Sequence, residues 1–331
     1  MYSDEDLNTA VTQGIFSESA VEAFRDQVAS VHGLPAVDEE NFKLIGGFND
    51  IFIVIACGLL LFSSFSVLEA ANTSLGYLVF LLLSWALAEF FVLKRKMALP
   101  AIMLLLAFVG GMVGLSDSVL SVTSESGGIL AATAAALAAY LHWWRFSVPI
   151  TVAVATAAAV GLLIAIIQSV FFEVNLWLPP VLFVCGLAVF AFAMSWDSAD
   201  RARLSYKSDV AFWLHLLAAP MIIHPVFTSL DILNGEEGLL SMALVILLYL
   251  LLTVVSISID RRVLMVSSLI YVIYALSGLI DRYGVAGSSF AFTGLLMGAI
   301  LLLLSAYWHR VRVLLVNYLP IWVQLKLPKV K

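Results

Sequence analysis

From residue 48 onward the chain alternates long apolar stretches with short polar breaks. Ten stretches suit membrane helices: 48–68, 75–93, 98–115, 128–144, 147–169, 176–196, 211–233, 238–258, 263–280 and 288–307. A helix needs roughly 20 apolar residues to cross the ~30 Å hydrocarbon layer. The breaks are short, so successive helices are expected to be antiparallel neighbours. No loop has room for a separate catalytic domain. The pattern predicts an all-α fold, a polytopic transmembrane bundle of about ten spans occupying residues 47–307.

Two segments flank that bundle. Residues 1–46 are polar and acidic and read as a cytoplasmic helical hairpin. Gly14 suits a helix stop, and Ser17 or Ser19 can cap the second helix. Val21, Phe24, Val28 and Val31 form one apolar stripe at helical spacing, which must cover the first helix, a protein partner or the membrane surface. The segment lacks the basic start and apolar run of a signal peptide. Residues 308–331 are basic and amphipathic, and Pro320 interrupts them; they are expected to lie in the interface as an anchor.

Charge fixes the expected orientation. With a cytoplasmic N-terminus, 16 of the 17 Lys and Arg residues fall on the inner side and only Arg282 lies outside. That is the asymmetry of the positive-inside rule, and it places both ends in the cytoplasm of a bacterial-type inner membrane. Composition agrees: 62% of residues are hydrophobic and 12% charged, against roughly 45–50% and 25% in soluble domains. The mean hydropathy is +1.04. A formal net charge of −6 argues against nucleic acid as a partner, since phosphate binding needs clustered cations. The expected partners are the lipid bilayer, a small solute or ion, and a protein docking on residues 1–46. No cofactor is expected. Cys57 and Cys185 sit within apolar runs and read as buried thiols.

Candidate chemistry concentrates in the seventh span, which holds His215, His224, Pro220 and Pro225 and is followed by Asp231. Ionisable groups within lipid are costly and point to function. Each proline removes a backbone donor, freeing the carbonyls of Leu216 and Met221. His215 is expected about one turn inside the cytoplasmic boundary, and His224 deeper. Nine residues separate them, which is half a turn out of phase on a straight helix. His224 and Asp231 share a face, so a proton route between them is geometrically open, and histidine titrates in the right range. Glu89 in the second span is a further candidate proton or cation site, or snorkels to Lys94 or Arg95. Tyr271 and Tyr274 are placed to line a polar cavity or to hydrogen-bond across helices. Gly110-x-x-x-Gly114 and Gly294-x-x-x-Gly298 have the spacing of close helix contacts. His142 and His309 are expected at the cytoplasmic interface, and Trp85 in the middle of the second span is expected to pack.

The element Gly14-Ile15-Phe16-Ser17, ahead of a short helix and a multi-span region, resembles one found in a group of uncharacterised bacterial multi-pass membrane proteins. Their element reads Gly-Ile/Leu-x-Ser/Thr. The resemblance covers about the first 30 residues and implies no functional residue. In topology alone the layout is also similar to drug/metabolite transporters built from two five-helix halves. The readings these features support are, in order, a small-solute or proton/cation transporter, a non-catalytic scaffold or regulatory subunit, and an intramembrane enzyme.

Overall fold

The structure is a computed structural model that describes residues 4–21, 23, 24, 27, 48–120, 124–170, 174–201, 203, 205–229, 239–283, 289–324, 327 and 328. The chain falls into two compact units, Met1–Phe42 and Lys43–Lys331.

In the first unit, helix α1 spans Asp4–Thr12. Gly14 ends it with φ +73°, a conformation that costs glycine nothing. The N–H of Ile15 reaches back to the Ala10 carbonyl at 2.9 Å. The Ser17 hydroxyl accepts from the Ala20 N–H at 3.2 Å, so Ser17 caps the next helical turn. Val21 is buried, whereas Ile15, Phe16 and Phe24 are exposed. Val28 and Val31 of the predicted stripe lie outside the described residues.

In the second unit, ten long helices follow one another. They are α2 (Phe48–Glu69), α3 (Thr73–Ala88), α4 (Ala98–Leu120), α5 (Ser124–Phe146) and α6 (Ile150–Val170), then α7 (Val174–Ala199), α8 (Tyr206–Thr228), α9 (Leu239–Ile259), α10 (Val263–Tyr283) and α11 (Ser289–Tyr318). A π-helical turn, Glu89–Lys94, prolongs α3. A four-residue helix, α12 (Ile321–Gln324), ends the described chain. Among the described residues, nine helices are long and apolar enough to cross a membrane. Helix α5 matches them in length at 23 residues but is richer in alanine, glycine and polar groups. The protein is therefore a multi-pass helical membrane protein.

Several boundaries differ from the sequence pattern, α4 running to Leu120 and α5 starting at Ser124, and two of the differences have local reasons. Helix α8 starts five residues before the apolar run at 211, because Ser205 caps it and Asp200 holds the cap, accepting from the Ser205 N–H at 2.8 Å and its hydroxyl at 2.7 Å. Helix α11 runs on through Tyr318 rather than stopping near 307. Trp308, Arg312 and Val316 recur every fourth residue on its buried face, and no breaker intervenes before Pro320. The first part of the expected interfacial tail is thus continuous with the last span. Leu327 then folds back and is buried with Trp308 and Val316.

Most sequence neighbours pack on one another, as short antiparallel connections require, but α8 and α9 do not pack closely. Helix α8 also meets α6 and α10, so it joins the two halves of the bundle. Its spanning window is 56% buried, against 11% for α2. At the turns α3–α4, α5–α6, α7–α8 and α9–α10, all at one end of the bundle, Lys96, Ser147, Arg203 and Asp260 take positive φ of 51–58°.

Small residues set the closest contacts, though only some lie where the Gly-x-x-x-Gly spacing suggests. A Cβ on Gly186 of α7 would sit 2.9 Å from the Met221 carbonyl carbon and 3.0 Å from the Ile222 nitrogen of α8. Gly111 and Gly114 of α4 receive Phe80 and Tyr77 of α3. Gly110, Gly294 and Gly298 have nothing within 4 Å of such a Cβ.

Candidate functional site

Helix α8 buries His215 completely. Its Nδ1–H donates to the Ala211 carbonyl at 2.8 Å, and the ring meets Phe190 edge-on at 5.3 Å. Asp197, near the end of α7 and equally buried, stands 3.8 Å from the same nitrogen, beyond a direct hydrogen bond. The carboxylate is held instead by Arg261 of the α9–α10 turn, whose Nη2 reaches Oδ1 at 2.7 Å. The same nitrogen donates to the Ser208 carbonyl at 3.0 Å. This ion pair is buried, with side chains 3% and 0% exposed.

A second buried pair adjoins it. Asp260 accepts from Arg203 Nη1 at 2.7 Å and from the Trp308 indole at 2.9 Å. Arg312 Nη1 approaches the same carboxylate at 3.5 Å. Arg203 also donates to the carbonyls of Ile259 and Asp260, both at 3.1 Å. Burial pulls the Arg203 pKa below its ordinary value; Arg261 and Arg312 add to this, while Asp260 and Asp197 oppose it. The guanidinium stays charged, since an arginine starts so far above neutrality. Arg262 lies over the Trp308 ring, 4.9 Å from its centroid. The Ser256 hydroxyl donates to the Arg261 carbonyl and braces the turn. Residues from α7, α8, α9, α11 and two turns thus converge at one end of the bundle.

The sequence pointed to this helix but not to this network. Asp197, Arg203, Asp260, Arg261 and Arg312 look like ordinary flanking charges. The signal that sets some of them apart is crowding: Asp260-Arg261-Arg262 fill a turn too tight to reach far into water, and Arg312 is followed directly by the apolar run Val313–Val316.

No known protein family, curated protein or solved structure matches this chain. The site is therefore read from its own chemistry.

The remaining candidates separate in space. His224 lies four residues from the end of α8 and is exposed on the bundle surface, while His215 is buried. The half-turn phase difference accounts for this, and the helix continues through Pro220 and Pro225. His224 shares a 2.6 Å hydrogen bond with Tyr271 of α10, and Phe227 stacks on Tyr271 at 4.6 Å. Of the two tyrosines, Tyr271 bonds across helices and Tyr274 faces outward. Asp231 lies outside the described residues. Glu89 turns to neither Lys94 nor Arg95; Arg145 of α5 grips it from both sides, at 2.8 and 2.7 Å. Lys94 and Arg95 instead lie over the Phe90 ring.

His142, expected at the interface, is enclosed in α5 between Phe146 and Phe108, with ring centroids 4.5 and 6.3 Å away. Trp85 packs on both phenylalanines. Among the described residues no group of three His, Cys, Asp or Glu could hold a metal ion. A cleft of about 10 Å³ lies between Ile164, Ile167, Trp177, Leu178 and Val181. That is room for roughly one water molecule.

Proposed function

We propose that the chain is a small-solute or proton/cation transporter of a bacterial-type inner membrane, with ten spans and both termini in the cytoplasm. The observation that carries this reading is the burial of His215 beside the Asp197–Arg261 pair in the most enclosed helix of the bundle. Buried ionisable groups in a membrane are expensive and face pathways or partners. Here His215 lies on α8, which touches both halves of the bundle, while Asp197 of α7 and Arg261 of the α9–α10 turn pack beside it, so a movement of α8 opens or closes a route between the halves. The Asp197–Arg261 pair is a natural latch, because a proton or cation reaching the carboxylate competes directly with Arg261. The basic residues of the turns at 94–96, 145, 201–207 and 261–262 support the orientation.

Reconstitution on a solid-supported membrane tests it. A panel of small solutes and ions is expected to contain one that evokes current in wild type, loses it in Asp197→Asn and keeps it in Glu89→Gln. A carrier must also admit water beside His215, so a cysteine replacing the buried Ala218 is expected to react with a water-soluble thiol reagent from one face. No current with any solute, together with an unreactive Cys at 218 from both faces, overturns the reading.

A second reading, a non-catalytic scaffold or regulatory subunit, is favoured by the exposed Ile15, Phe16 and Phe24 of the N-terminal unit. Cross-linking in membranes tests it: deletion of residues 1–46 is expected to release a partner while the bundle stays folded.

A further inference from the structure

The two arginines that face the end of the chain are held in an unusual way. Arg201 donates from Nε to the Leu327 carbonyl at 2.8 Å and from Nη2 to the Gln324 carbonyl at 3.0 Å. Arg312, only 3% exposed, donates from Nη2 to the Pro328 carbonyl at 3.0 Å. The carbonyls of Gln324, Leu327 and Pro328 are therefore held by two guanidinium groups. Such groups match carboxylate and phosphate oxygens, and a charged acceptor makes a bond about twice as strong as a neutral one.

The nearby carboxylates are engaged elsewhere. Asp200 is held by Ser205, Asp197 by Arg261, and Asp260 is shared between Arg203, Trp308 and Arg312. The chain after Arg282 contains no Asp or Glu, but five basic residues: Arg310, Arg312, Lys326, Lys329 and Lys331. Shortly before the tail in sequence, Tyr318 and Trp322 are exposed, as aromatic residues are that rest in a headgroup layer.

From these contacts we infer that Arg201 and Arg312 form a binding site for a phosphate group, occupied in this structure by the backbone of Leu327 and Pro328. The tail is a tethered competitor. When it lifts, the N–H groups of Arg201 and Arg312 that held those carbonyls are freed, and an oxyanion takes the positions of the carbonyl oxygens. The phosphate belongs either to an anionic lipid headgroup or to a soluble compound. The inference does not depend on the transport reading.

The test uses the purified full-length protein in detergent, titrated with inorganic phosphate at constant ionic strength and followed by calorimetry. It is repeated on a chain ending at Gln324, on Leu327→Ser as a milder release of the tail, and on each with Arg201→Gln or Arg312→Gln. A site that is nine-tenths occupied by its own tail binds about tenfold more weakly than the open site. Phosphate is therefore expected to bind the released chains about tenfold more tightly than wild type, and not to bind the arginine variants. In parallel, nanodiscs of phosphatidylglycerol and of phosphatidylcholine are compared. Arginine-dependent retention of phosphatidylglycerol by the released chain assigns the lipid source, and phosphate binding without that retention assigns the soluble one. Equal affinity in wild type and both released chains overturns the proposal. So does binding of either probe that survives the arginine substitutions, or no binding of either probe.

Discussion

The indole N–H of Trp308 donates to the buried carboxylate of Asp260 at 2.9 Å, across 48 residues of sequence. The bond ties the last long helix to the α9–α10 turn, and the same carboxylate holds Arg203. Asp260→Ala leaves at least one buried guanidinium without its counter-ion. Losing one partner of a buried pair costs roughly 3–5 kcal/mol. Trp308→Phe removes one bond to a charged acceptor, worth about 1.5–3 kcal/mol. Denaturant unfolding in detergent is expected to rank them in that order.

The Asp197–Arg261 pair is best tested by a double-mutant cycle. Asp197→Leu and Arg261→Met are each expected to destabilise by roughly 3–5 kcal/mol, because each strands a buried charge. The double variant removes both charges at once and is expected to cost much less than their sum. Additive losses would mean that the two side chains do not depend on each other.

Glu89 and Arg145 form a pair of nearly ideal geometry, yet their side chains are 35% and 47% exposed. Exposed pairs contribute about 0–1 kcal/mol. Glu89→Gln is expected to change the melting behaviour little and to leave transport intact. Lost flux in a normally folded Glu89→Gln variant would assign Glu89 a role in the pathway.

Helix contacts give a paired prediction. Gly186→Ala forces a methyl group to within 2.9–3.0 Å of the α8 backbone, so α7 and α8 must separate, at a cost of roughly 1–3 kcal/mol. Gly298→Ala meets open space and gains helix propensity of up to ~1 kcal/mol. Thermal scans of the two variants should move in opposite directions.

Much of this fold was legible because hydrophobic runs of spanning length leave little choice. Each of the ten stretches contains a long helix, and Gly14 and Ser17 punctuate the N-terminal segment where their chemistry suits them. Helix ends were harder to read, because capping and the lack of a breaker set them rather than hydropathy: Ser205 extends α8 beyond its apolar run, and α11 has no breaker until Pro320. Partnerships were less legible than helices. Glu89 has Lys94 and Arg95 close in sequence but pairs with Arg145, which becomes its neighbour only when α3 and α5 pack near one another. His215 drew notice as a histidine in an apolar run. Its companions Asp197 and Arg261 resembled flanking charges, because separations of 18 and 46 residues carry no periodic signal. The Gly-x-x-x-Gly spacing misled at Gly294 and Gly298, since spacing does not report which face a neighbour covers.

Asp197 and Arg261 also impose an order on biosynthesis. The carboxylate is made 64 residues before the guanidinium that neutralises it. At about 5–20 residues per second, that gap lasts roughly 3–13 s. During it, α7 carries an acid whose counter-charge in the α9–α10 turn does not yet exist, and lipid is a poor place for it. The pair must wait in a wet or protein-lined space until the α9–α10 turn is made. Release of α7 and α8 into the bilayer is thus tied to the helices that follow them.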